Sequence, residues 1–143
     1  NQVDHPKADV EAALQSLKER YGHAVTQMQY PVNQGEGFNA IIDLLKMVMY
    51  KFPPEGGRPQ KLPIPPSEKE RAERLHNELV ERAAENDEKL MEKYFDSGTL
   101  DEDEMREGLK LGMIHHDVFP VFIMSAKRNM GSGRLMGFID NVA

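Results

Sequence analysis

Apolar residues recur at helical spacing through Val10, Ala13, Leu14, Leu17 and Tyr21, with Gly22 as a stop signal behind them. Pro6 suits a first helical turn, so a helix is expected to begin there. Ala24 to Pro31 (AVTQMQYP) shifts towards alternation and predicts one strand. The character of the chain changes at Asn33. Gly35 and Gly37 mark a loop, after which Ala40 to Leu45 and Lys46 to Phe52 read as short strands. Pro53-Pro54-Glu55-Gly56-Gly57 is a turn cluster, and Lys61 to Ile64 adds an edge strand stopped by Pro65 and Pro66. A small antiparallel sheet is the expected outcome.

Helical patterning then takes over. Ser67 and Glu70 have capping-box spacing directly after two prolines. Ala72, Leu75, Leu79, Ala83, Leu90 and Tyr94 follow down one side of a helix, with a bend expected at Glu85-Asn86-Asp87. Gly98 ends that helix. Thr99 with Glu102 repeats the box for a second helix ending near His115. Val118 to Met124 (VFPVFIM) is a continuous apolar run, which predicts a strand buried on both faces. Gly131-Ser132-Gly133 leads into a last helix carrying Leu135, Phe138, Ile139 and Val142.

The order is thus helix, strand, an inserted sheet-and-helix module over 33–116, strand, helix. Residues 1–32 and 117–143 together read as the closing half of an α/β doubly wound domain. In that fold ligands gather at the carboxyl ends of parallel strands. Met124 to Lys127 lies at such an end, and Asn1 would follow the end of a strand preceding the chain. The start is read as internal to a longer polypeptide.

At 143 residues, the chain can bury one sizeable core with a small appended subdomain. The absence of cysteine excludes disulfide or thiolate–metal frameworks and is compatible with a reducing cytoplasm. No apolar run approaches the ~20 residues of a membrane span. The net charge of −6 is concentrated between Ser67 and Lys110, where fifteen Asp/Glu face eight Lys/Arg. That local net of −7 disfavours nucleic-acid phosphates and suits a protein partner.

Two short motifs carry candidate chemistry. Asn1-Gln2-Val3-Asp4 is an N-x-x-D turn, and Ser125-Ala126-Lys127 follows the last strand. A carboxylate accepts both the N1–H and N2–H₂ donors of guanine in one bidentate contact, a job that fits Asp4. Asn1 would support the loop and reach the N7/O6 edge. Backbone N–H groups around Ala126 would donate to O6, and the Lys127 stem would pack on the ring face. Taken alone, N-x-x-D is better explained by a helix N-cap. Asp96 to Asp101 departs from calcium-loop spacing and reads as a helix-joining turn. His115-His116 reads as a surface pair, and Met47 with Met49 as core of the insert.

With these residues in view, the chain resembles the second half of the GTPase domain of bacterial elongation factor G, including its G-prime insert. Pro31 to Leu45 (PVNQGEGFNAIIDLL), Ala84 to Phe95 (AENDEKLMEKYF) and Phe119 to Gly131 (FPVFIMSAKRNMG) carry the likeness, which extends along essentially the whole chain. The resemblance implies a P-loop GTPase-type domain with an inserted α+β subdomain, in a cytoplasmic translational GTPase acting on the ribosome in translocation or recycling. It implies guanine binding by Asn1, Gln2, Asp4, Ser125, Ala126 and Lys127. It also implies an insert facing the ribosomal stalk, with the acidic helices as the docking surface. The family motif is N-K-x-D, and Gln2 replaces its lysine, removing a charge but not the Asp4 contact; this departure suggests a divergent paralogue.

No G-x-x-x-x-G-K-[ST] loop occurs, so the phosphate cradle and the Mg²⁺ ligands of GTP or GDP are assigned to the other half. By itself the chain is expected neither to hydrolyse GTP nor to hold it firmly, and to have no membrane or DNA partner. The competing expectation is an acidic protein-interaction module with vestigial nucleotide motifs. Two core strands underfill a doubly wound sheet, so exposed apolar edges at Val121, Phe122 and Ile123, and a homodimer covering them, are also expected.

Overall fold

Asp9, not Pro6, starts the first helix. In the computed structural model, which describes residues 1–142, α1 spans Val10–Tyr21. Asp9 is extended and its carboxylate accepts the N–H of Ala12 at 3.0 Å. Pro6 falls instead in a turn closed by the Ala8 N–H on the His5 carbonyl. The carboxylate outcompetes the proline because it satisfies a free helix donor, whereas proline only tolerates the position.

The strand expected from Ala24 to Pro31 is two strands in two sheets. β1 (Val25–Gln27) pairs in parallel with β6 (Phe119–Val121), placing Val25 opposite Phe119 and Gln27 opposite Val121. β2 (Gln29–Pro31) opens an antiparallel sheet with β3 (Ala40–Asp43), β4 (Val48–Lys51) and β5 (Gln60–Leu62), in the order β2-β3-β4-β5. Met28 is the switch between them. Its N–H donates to Val121 O at 3.1 Å, and its carbonyl accepts the Leu44 N–H at 3.0 Å.

β2 and β3 of the antiparallel sheet are buried on both faces, where successive residues point to opposite sides, while the edge strand β5 is largely exposed. Tyr30, Ile42 and Leu44 join a core with Ala72, Leu79, Val80, Ala83, Met105 and Leu109 from the helices. Ile41, Tyr50, Phe38 and Phe52 form a second core with Val3, Ile123 and Met130. Met47 and Met49 pack against the helical core, in keeping with their reading as insert interior.

The helices are α2 (Lys69–Ala84), α3 (Glu88–Ser97), α4 (Glu102–Ile114) and α5 (Ser132–Asn141). The capping box expected at Ser67 does not form. Residues 66–68 make a 3₁₀ turn, and the Glu68 carboxylate accepts the Tyr30 hydroxyl at 2.8 Å. Glu85 to Asp87 separates two helices rather than bending one, with Asp87 extended as the N-cap of α3. Gly98 closes α3 in a left-handed conformation, and residues 98–101 join it to α4; Asp96 and Ser97, expected in the turn, are the last residues of α3.

The second capping box lies two residues beyond the expected Thr99. Asp101 accepts the Glu104 N–H at 2.8 Å, and Glu104 accepts the Asp101 N–H at 2.9 Å. Burial of Leu100 just before the cap fixes this register. α4 lies close against α2 because Gly108 has no side chain. A Cβ there would sit 2.2 Å from the Ala83 carbonyl oxygen.

The run from Val118 to Met124 contains only the three strand residues of β6, and Phe119 is 39% exposed. It is therefore not a strand buried on both faces: β1 is its sole neighbour in the sheet among the described residues. Ile123, expected at an exposed edge, is buried in the second core, while Val121 and Phe122 are half-buried. Phe122 packs against Phe138 of α5 at 4.9 Å between ring centres. The parts as described make a mixed α/β fold with a small parallel sheet and a four-stranded antiparallel one. Ala143 lies outside the described residues. No helix among the described residues is long and apolar enough to cross a membrane.

Candidate functional site

The two sequence motifs meet. The side-chain oxygen of Asn1 accepts the Gln2 N–H at 2.8 Å and the Ala126 N–H at 3.0 Å. The Val3 N–H donates to the Met124 carbonyl at 3.2 Å, so the first loop lies along the end of the chain that leaves β6. Val3 is buried in the core beneath, which anchors the loop from below. With Asp9 capping α1, the helix-cap explanation of Asn1 and Asp4 does not apply.

The second loop is closed by reciprocal bonds between Ser125 and Met130, both at 2.9 Å, and by the Asn129 N–H on Ala126 O. Gly131 follows with φ of 88°, a left-handed conformation that suits glycine. A Cβ there would come 2.5 Å from the Ile123 carbonyl. Glycine is thus required where the loop turns back into α5.

Ser125 is fully buried below the surface of the site. Its oxygen accepts the Arg128 N–H at 3.3 Å. The influence of the Ser125 hydroxyl, then of the Asp4 backbone and the positive charges of Arg128 and Lys127, holds the Asp4 carboxyl below its ordinary value of 3.8. Asp4 is therefore an ionised acceptor at neutral pH.

A cleft of about 430 Å³ opens above these groups, lined by Gln2, Asp4, His5, Glu36, Lys127 and Arg128. Its volume falls within the roughly 300–1,000 Å³ usual for small-molecule sites. Of the six expected binding residues, Gln2, Asp4 and Lys127 line the cleft. Asn1, Ser125 and Ala126 do not line it: Ser125 is buried, while Asn1 and Ala126 are exposed and bonded to each other. The Ala126 N–H, expected to serve a ligand oxygen, is engaged by Asn1. Gln2 has φ of 63°, a conformation uncommon outside glycine, asparagine and aspartate.

Arg128, Glu36 and the turn around Gly35 join the site without any signal in the sequence. The Arg128 guanidinium donates to the carbonyls of Phe38 at 3.1 Å and Glu36 at 3.5 Å. The Gly35 N–H donates to Val3 O at 2.7 Å. No short-range pattern announces these contacts, which join positions about ninety and thirty residues apart. No group of three or more His, Cys, Asp or Glu among the described residues is arranged to hold a metal. His115 and His116 are both exposed.

No family model matches the chain. Its fold is similar to part of a solved structure from Thermus thermophilus, the protein described as ttk003000868. The TM-score is 0.81 at 24% identity over 94% of this chain. The match covers 20% of that protein, so the chain spans about a fifth of its length. At this identity the likeness speaks for the fold alone.

Proposed function

We propose that the chain is the base-reading half of a GTPase domain in a translational factor resembling elongation factor G. The observation that carries the reading is the joining of the two motifs through Asn1 and Ala126, with Asp4 ionised beside Ser125. Asp4 accepts the N1–H and N2–H₂ edge of guanine, an interaction adenine cannot reproduce because it lacks that donor pair. Lys127 and Gln2 cover the ring faces. Asn1 and Ser125 hold the two loops at a fixed spacing.

In this reading β1 and β6 are two strands of a doubly wound P-loop GTPase sheet. Residues 1–32 and 117–143 form its second half, and 33–116 is a G-prime-like subdomain. Phosphates, Mg²⁺ and hydrolysis belong to residues upstream, and the activity of the whole is GTP hydrolysis coupled to a ribosomal step in the cytoplasm. The acidic faces of α2, α3 and α4 are the docking surface for a ribosomal stalk protein.

A fluorescent-GDP titration with unlabelled GDP and ATP as competitors tests the reading. It is run on this chain and on a form extended upstream through the phosphate loop. Binding by the longer form, displaced by GDP but not ATP, is the expected result. A folded longer form with no guanine preference would favour the alternative of an acidic interaction module, whose binding is indifferent to nucleotide.

A further inference from the structure

The antiparallel sheet touches the candidate site directly, through the turn that joins β2 to β3. Three ties leave this turn. Gly35 donates to Val3 O at 2.7 Å. The Gln34 side-chain oxygen accepts the Val10 N–H at 2.9 Å, at the start of α1. Arg128 bonds the carbonyls of Glu36 and Phe38. The first two hold the loop carrying Asp4, and the third holds the loop carrying Lys127. Below them Phe38 is fully buried and shares a core with Val3, Ile123 and Met130, the feet of both loops.

We propose that the Gln34–Phe38 turn is a second brace on the distance between the two recognition loops, beside the direct Asn1–Ala126 bond, with Arg128 as its positioning residue. The base cleft and the sheet-and-helix module are thereby mechanically coupled. The inference rests on the proposed guanine reading for its ligand, but its mechanics stand on the contacts alone.

The chemistry makes the spacing matter. One loop reads the amino edge of the base through Asp4, while the other faces its carbonyl edge. Such a constellation works only when held to about 0.5 Å. One terminal nitrogen of the Arg128 guanidinium, Nη1, donates to both carbonyls, and the planar group fixes the direction of its two N–H bonds. Glu36 also lines the cleft, so any shift of the turn moves a wall of the site. By reciprocity, a ligand that fixes the loop spacing stiffens the turn, and a load on the sheet alters ligand affinity.

The experiment has two arms. Amide exchange is followed in the 143-residue chain carrying Arg128→Ala or Arg128→Lys. GDP and IDP affinities are measured in the longer protein with the same changes and with Asp4→Ala as reference. In Arg128→Ala, the Gly35 and Ala126 amides should lose about tenfold or more of their protection, while Val80 and Leu109 keep theirs. GDP and IDP should weaken together by roughly five- to tenfold, since both carry the same carbonyl edge. Arg128→Lys should recover part of both effects. Asp4→Ala should instead erase the preference for GDP over IDP, which lacks the amino group.

Unchanged exchange at Gly35 and Ala126 would overturn the proposal. So would equal loss at Val80 and Leu109, which would mark Arg128 as a plain stabiliser. If the unaltered longer protein binds no guanine nucleotide, the functional reading fails, and the exchange arm still decides whether Arg128 spaces the loops.

Discussion

The Asn1 side-chain oxygen accepts the backbone N–H of Ala126 at 3.0 Å, a bond that spans 125 positions of the chain. It joins the 1–4 and 125–127 loops through a single carboxamide, which also orders its own loop by accepting the Gln2 N–H. Asn1→Ala removes the acceptor from both amides. In the longer protein this should weaken GDP about tenfold, as expected for loss of a bond that organises a site. The Ala126 amide should exchange faster in the same variant, and global stability should change little because Asn1 is exposed.

The ionisation of Asp4 gives a pH signature. Its carboxyl lies below the ordinary value, chiefly through the Ser125 hydroxyl and then through nearby positive charge. For a depressed carboxyl, the favourable contribution is present above the unfolded value and lost as pH falls through the folded one. Base binding should therefore stay flat from neutral pH through the ordinary carboxylate range and fall only below it. Ser125→Ala should move the Asp4 titration upward, as carbon-detected NMR of the carboxyl would show.

Asp43 should behave in the opposite sense. Burial pushes its carboxyl above 3.8, against the opposing effects of the Lys46 and Leu45 N–H groups and of Arg134. A raised native value means the folded state takes up its proton first. Stability contributed by this group rises as pH falls from the folded value towards the unfolded one. Urea unfolding across mildly acidic pH should show the wild type gaining on Asp43→Asn as pH falls. A constant difference between the two would contradict this account.

Glycines in two helices should respond oppositely to alanine. At Gly108 the added Cβ meets the Ala83 backbone, which cannot yield as a flexible side chain would. Forcing α4 from α2 should cost about 1–3 kcal/mol. At Gly137, on α5, nothing lies within 4 Å of the new atom. Gly137→Ala should stabilise by about 0.5–1 kcal/mol through helix propensity. Thermal unfolding of the pair checks both signs.

Much of this fold is readable where the pattern is local. The three short strands after Gly37 and the Gly98 stop lie where spacing places them, and α1 ends at Tyr21 as its stripe suggests, although of that stripe only Leu14 is buried. What departs from the pattern is decided by distant partners. Nothing in AVTQMQYP reveals that Met28 bonds Val121 on one side and Leu44 on the other. The cap expected at Ser67 gives way to a 3₁₀ turn whose Glu68 carboxylate accepts the Tyr30 hydroxyl 38 positions away. The two segments that meet, Asn1 to Asp4 and Ser125 to Lys127, are legible because each is a short pattern. Arg128, Gly35 and Glu36 are not, because their roles exist only once the sheet packs under the loops.

The most direct test of a guanine-reading cleft is the ratio of GDP to IDP affinity in the longer protein, with and without Asp4→Ala. The two ligands differ only in the amino group that Asp4 is assigned to read. The account predicts a ratio of about ten to a hundred in the unaltered protein, falling close to one in the variant. A ratio near one in the unaltered protein, or one that survives Asp4→Ala, would contradict it.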